Sequence, residues 1–106
     1  MELDKLVRDK IPSLVTKDGG SYSLQLLSPL EHQTEITKKL IEEVNEYSEA
    51  TNREKSLDEL VDIVELAYSA AALHGLSQQQ FEELRLQKKQ LKGGFQKGIY
   101  LKTISY

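Results

Sequence analysis

Only six residues, Thr51 to Ser56, separate two long stretches of helical hydrophobic periodicity. So short a link makes the two helices antiparallel neighbours. In the first stretch, at about 100° per residue, Ile36, Leu40, Val44 and Tyr47 fall on one stripe that should face a core. The second is apolar over most of its circumference, through Leu60, Val61, Ile63, Val64, Leu66, Ala67, Ala70, Ala71 and Leu73. Ser28-Pro29-Leu30-Glu31 combines an N-cap, a proline at the first helical position and a capping-box acid, so the first helix is predicted from Pro29 to about Ala50. The second is predicted from about Leu57 to His74, with Gly75 as its C′ residue.

Two acids on each helix point where apolar side chains point. Glu43 falls inside the stripe beside Ile36, Leu40 and Tyr47, and Glu46 lies on its flank near Ala50, whereas Glu42 and Glu49 fall on the opposite, wet side. On the second helix Glu59 is followed by Ile63 and Leu66 at i+4 and i+7, and Asp62 by Leu66 at i+4. Residues at equal height in an antiparallel pair have numbers with a constant total, and Glu46 with Glu59 gives the same total as Glu43 with Asp62. Four carboxylates are therefore expected at two adjoining levels, each i, i+3 pair about 5–6 Å apart at Cβ. Ionised, they repel by about 3 kcal/mol per pair at ~5 Å and an effective dielectric of ~20, and burial adds a further penalty for each ion. A hard dication removes both costs. Mg²⁺, which takes a few carboxylates plus phosphate oxygens, suits this shape better than a calcium cage, with Mn²⁺ as the alternative.

Two plainer readings compete. Acid-rich helices are commonly solvated faces carrying weak i, i+4 ion pairs. Here Lys38 precedes Glu42 and Lys39 precedes Glu43, the less favourable order, and Glu49 near a helix C-terminus opposes the macrodipole. Ser56-Leu-Asp-Glu59 also reads as a capping box, which would make Glu59 a helix-start residue. Both readings leave Glu43 and Asp62 on apolar faces, unexplained. Lys39, one turn before Glu43, either screens that acid or reaches into the same cleft.

The rest of the chain is predicted as follows. Residues 1–11 are extended or irregular, and Pro12 opens a short helix through about Lys17. Asp18-Gly19-Gly20 breaks the chain, and residues 22–27 read as a short strand that the tail, 95–104, could pair with as a small two-stranded sheet. A third helix starts near Ser77 and runs through Leu91, stopped by Gly93 and Gly94. The expected fold class is mainly α: an antiparallel helical hairpin plus a third long helix. His32 and His74 have no partner at metal-ligand spacing. There is no phosphate-cradling glycine loop of the G-x-x-x-x-G-K-[ST] or G-x-G-x-x-G type, and no serine is paired with a base. Any chemistry must rest on carboxylates, metal and water.

At 106 residues the chain is expected to be one domain, 1–106, with a modest core. Zero cysteines exclude a disulfide scaffold or a thiolate metal site and fit a reducing, cytoplasmic setting. A net charge of −3 argues against broad binding to nucleic-acid polymers. The charged N-terminus has no signal-peptide core, and no apolar run approaches the roughly 20 residues of a bilayer span.

Glu42-Glu43-x-x-Glu46, then Glu59-x-x-Asp62 after twelve residues, resembles the signature of the MazG-like all-α nucleotide pyrophosphohydrolases. Lys5-Leu-Val-Arg-Asp-Lys-Ile-Pro12 and Gly93-Gly-Phe-Gln-Lys-Gly-Ile-Tyr-Leu101 resemble the two ends of a small single-domain, house-cleaning branch of that superfamily, so the resemblance covers nearly the whole chain. It implies Mg²⁺-dependent attack of water on the α-phosphorus of a modified or non-canonical nucleoside triphosphate, giving a nucleoside monophosphate and pyrophosphate. Glu43, Glu46, Glu59 and Asp62 would hold the metal, and Glu42, Glu43 and Glu46 would be catalytic, Glu42 only if another helix or a second subunit covers its face. Lys5, Arg8 and Lys39 would contact phosphate or nucleotide, Arg8 best of the three because its fork suits phosphate oxygens. Relatives assemble through such helices, implying a homo-oligomer, most simply a dimer. Apolar coverage all round the second helix agrees, since one hairpin cannot bury every side of it.

Two alternatives remain open at this point. One keeps the chemistry and changes the substrate to phosphoribosyl-ATP. The other is a non-enzymatic helical module whose acidic face binds a basic partner.

Overall fold

The computed structural model describes residues 3–106 as four helices: α1 Ile11–Lys17, α2 Pro29–Glu49, α3 Arg53–Leu73 and α4 Gln78–Lys92. The chain is mainly α, and among the described residues no strand is present. Residues 22–27 and 95–104 run without regular secondary structure, so the small sheet that their alternation allowed does not form.

Local chemistry sets each boundary. Ser28 and Glu31 close a reciprocal capping box, Glu31 N–H donating to Ser28 Oγ at 3.3 Å and Ser28 N–H to Glu31 Oε1 at 3.1 Å. Ser77 and Gln80 repeat the device at the start of α4. The start of α3 differs from expectation by one turn. Its N-cap is Asn52, whose Oδ1 accepts from Lys55 N–H at 2.8 Å. Ser56 therefore lies inside the helix, its hydroxyl donating to Asn52 O at 2.9 Å, and caps nothing. At the far end Gly75, at φ 84°, lets Leu76 N–H reach Ala71 O and Gly75 N–H reach Ala72 O, a Schellman close that only a left-handed residue permits.

The tight link folds α2 back along α3, and α4 crosses onto the far side of α3, where Tyr68 and Phe81 meet edge to face with ring centroids 6.0 Å apart. α1 packs against no other helix. The apolar core is thin: among the described residues only Ile36 and Ala71 are buried hydrophobics. Leu57, Leu60, Val61 and Val64 form an exposed apolar band on α3, and Ile41 and Val44 on α2 are exposed as well. The radius of gyration is 17.8 Å, against about 13 Å for a compact chain of this length. Among the described residues no single helix is long and apolar enough to cross a membrane.

Candidate metal centre

The two most buried polar side chains of the hairpin are both acids. Glu43, on the α2 stripe, and Glu59, on the face that α3 turns to it, are each 4% exposed. Oε2 of each is buried with no hydrogen-bond partner. Around them the carboxylates form two overlapping triads, Glu42 with Glu43 and Glu46, and Glu43 with Glu59 and Asp62. In each triad the three facing oxygens lie within 4.8 Å of one another. Glu43 belongs to both, so the hairpin gathers four acids around one shared carboxylate.

Crowding raises the proton affinity of Glu59 and Glu46. The Glu59 carboxyl is held above its ordinary range chiefly by its hydrogen bond to Glu43, then by burial and by the charge of Glu43, against the opposing effects of Glu46 and Lys55. Glu46 is also raised, first by its hydrogen bond to Glu59, then by burial and by the charges of Glu59 and Glu42, with Lys39 opposing.

Two basic side chains meet the rim, one on each triad. Lys39 Nζ lies 3.6 Å from Glu42 Oε1 and 3.7 Å from Glu43 Oε1. Arg8 Nη2 donates to Asp62 Oδ1 at 2.5 Å, joining residues 54 positions apart. Lys5 is exposed and forms no ion pair among the described residues.

Two expectations need correction. Glu42, placed by the helical wheel on the far face, brings its carboxylate to Glu43 and Glu46 without help from another helix. Glu42 and Glu46 are i, i+4 neighbours, and the cluster opens on their side of α2, so what counts is the direction of the mouth and not the distance from the core stripe. Glu59 does not close a capping box, because Asn52 starts the helix a turn earlier. The Arg8–Asp62 pair had no local signal in the sequence beyond a basic stretch before the first helix. His32 and His74 stand outside both triads, and His74 is the C-cap of α3.

The donor set consists entirely of carboxylate oxygen. Two of its oxygens are buried and unpartnered, which costs free energy that a cation taking oxygen ligands would recover. The residues therefore fit a hard dication and would fit a thiophilic or imidazole-bound metal poorly.

Residues 3–89 match the family described as phosphoribosyl-ATP pyrophosphohydrolase. The chain belongs to that family. It is a nucleotide pyrophosphohydrolase, a hydrolase acting on phosphoric anhydrides, within the MazG-like all-α superfamily that its acid motifs resemble. Enzymes of the phosphoribosyl-ATP pyrophosphohydrolase family are typically metal-dependent, in keeping with the acid cluster. Comparison with curated proteins and with solved structures gives no match. Membership removes the non-enzymatic module as the leading alternative. The matched span includes the Lys5–Pro12 stretch and both acid motifs, and it ends before Gly93–Leu101.

Proposed function

We propose that the acid cluster takes Mg²⁺, replaceable by Mn²⁺, and that the enzyme cleaves the α–β anhydride of a nucleoside triphosphate moiety, with phosphoribosyl-ATP as its first candidate substrate. The observation that carries the metal assignment is the pair of orphaned oxygens, Glu43 Oε2 and Glu59 Oε2, at the centre of five converging carboxylates. Glu43, Glu46, Glu59 and Asp62 are the proposed ligands. When bound, the dication neutralises polyphosphate charge and makes hydroxide available near neutral pH.

The chain's own residues do the rest. Lys39 and Arg8 flank the mouth and grip phosphate oxygens, with Lys5 as an outer contact. Glu42 and Glu46, the more accessible acids, orient the attacking water and accept its proton. The water oxygen bonds to the α-phosphorus as the bond from that phosphorus to the bridging oxygen breaks. Pyrophosphate leaves with the bridging oxygen, and a monophosphate remains. Positioning and charge do most of this work.

The family match favours phosphoribosyl-ATP. Modified nucleoside triphosphates are the second reading, favoured by the resemblance of Lys5–Pro12 and Gly93–Leu101 to the house-cleaning branch. Both substrates present the same scissile bond. The chain is proposed to act as a single domain over 1–106, in the cytoplasm where phosphorylated nucleotides are retained, and as a homo-oligomer. The thin core and the exposed apolar band of the hairpin support the last point.

Purified protein incubated with Mg²⁺ and a panel holding phosphoribosyl-ATP and natural and modified nucleoside triphosphates tests the reading through product identification. Pyrophosphate plus monophosphate is expected. Orthophosphate plus a diphosphate would reject the cleavage position, and turnover unaffected by a chelator would reject the metal.

A further inference from the structure

Outside the carboxyl–carboxyl contacts of the acid cluster itself, Arg8 makes the only side-chain hydrogen bond among the described residues that joins positions more than four apart, and it makes it to a carboxylate of that cluster. The segment that carries it is otherwise loosely held. α1 packs against no other helix, and most residues from Leu3 to Lys17 are exposed. The guanidinium side chain is itself 53% exposed, so its remaining N–H groups face solvent at the rim of the cluster. Asp58 and Glu65, one turn either side of Asp62 on α3, add their charges to the attraction.

A metal-free cluster and a loaded one make opposite demands on this pair. Without metal, Asp62 is one of several crowded acids, and a guanidinium relieves it. With a dication on Asp62, a guanidinium on the same carboxylate sits close to a second positive charge, and the attraction that held it is largely cancelled. Lys39 plays the equivalent role at the other triad, but its backbone is fixed in α2, so only its side chain can swing. Arg8 can leave, because it stands on an irregular segment before α1.

We propose that Arg8 is an exchangeable counter-ion of Asp62: it holds that carboxylate while the cluster is metal-free, is released when a dication takes Asp62, and then closes on a phosphate oxygen of the nucleotide. Metal loading thereby frees the N-terminal segment, and substrate binding recaptures it. The inference rests on the metal reading above and adds to it an order of events and a moving part.

The test uses the full chain and Mn²⁺ alone, then Mn²⁺ with a non-hydrolysable α,β-methylene nucleoside triphosphate. Calorimetry follows binding, and tryptic cleavage after Lys10 follows the segment. Without nucleotide, Arg8→Gln should bind Mn²⁺ about 2–5-fold more tightly than the native chain, since a competitor is gone. With Mn²⁺ present it should bind the analogue roughly tenfold or more weakly. Cleavage after Lys10 should quicken when Mn²⁺ is added to the native chain and slow again with the analogue. In Arg8→Gln it should be fast throughout. Asp62→Asn should show the same fast cleavage together with weakened Mn²⁺ binding. Weaker Mn²⁺ binding by Arg8→Gln would overturn the exchange and make Arg8 a residue that merely orients Asp62. Native cleavage indifferent to Mn²⁺ despite measurable binding would also overturn it. No Mn²⁺ binding by the native chain at all would instead reject the metal reading, and the exchange with it.

Discussion

Glu43 and Glu59 are drawn from opposite helices of one hairpin and are buried in the seam between them, each with an oxygen that nothing satisfies. In a chain with so thin an apolar core, two buried acids at the centre of the main helix–helix contact are a serious cost. Every other strong polar demand in the hairpin is met locally: Ser28 by Glu31, and Lys55 N–H by Asn52. The unmet demand is confined to the cluster, which is why it points to a ligand and not to poor packing.

Replacing Glu43 by Gln should therefore stabilise the metal-free protein while abolishing its response to metal. Glu43 belongs to both triads, so the amide removes like-charge repulsion on the order of 1–3 kcal/mol at nearly constant volume. A rise of about 4–8 °C in Tm per kcal/mol follows for a domain of this size. Thermal denaturation with a chelator and with millimolar Mg²⁺ measures both effects. The native chain should gain stability with Mg²⁺, and Glu43→Gln should not.

Glu42→Gln should separate catalysis from folding. The Glu42 side chain is 46% exposed, so the amide should leave stability within about 0.5 kcal/mol of native. If Glu42 accepts a proton from the attacking water, kcat should fall by about 10²–10⁴-fold, with pyrophosphate release as the assay. A normal kcat would leave that role to Glu46.

Much of this site could be read before any coordinates, and the parts that could not share a cause. Periodicity places Glu43 toward the core and the antiparallel register places Glu59 and Asp62 opposite α2, because both follow from fixed rise and rotation per residue. The start of α3 escaped because Ser56 and Asn52 are both good caps, and the choice between them depends on how tightly the hairpin turns. Glu42 escaped because a wheel reports angle from the core, whereas a long side chain on the flank of an open cleft can still enter it. The Arg8–Asp62 pair escaped because nothing periodic connects an irregular N-terminal segment to a helix 54 residues away.

Acid should weaken α2 through its cap. Glu31 sits below its ordinary carboxylate range because it accepts hydrogen bonds from Ser28, the backbone N–H first and the side chain second. A carboxyl depressed in the folded state lends stability that is present above its unfolded pKa and is lost as pH falls through the native value. Glu31→Gln should thus be less stable than the native chain at pH 7 and approach it at pH 3. Ser28→Ala, which removes the other half of the box, should cost about 1 kcal/mol. Chemical denaturation across that pH range, performed with a chelator, reports both.

The exposed apolar band yields the last prediction. Val61 and Val64 are 60% and 50% exposed, and Ile41 and Val44 on α2 are exposed too, so the hairpin presents to solvent what helices of this kind normally bury. If a second copy covers the band, each half-exposed valine recovers on the order of 1 kcal/mol on full burial, and the assembly carries stability that the lone chain lacks. Val64 is half exposed in the single chain, so Val64→Glu should spare the helices and break the association. Sedimentation should show the native protein at twice the chain mass or more and Val64→Glu at the chain mass, with unchanged helical circular dichroism at low temperature and a lower Tm. Leu84→Glu, on an α4 residue that is also 50% exposed, is the control and should leave the mass unaltered. A native chain that sediments as a monomer would mean that the thin core stands alone, and Val64→Glu would then alter neither mass nor Tm by more than a surface substitution does.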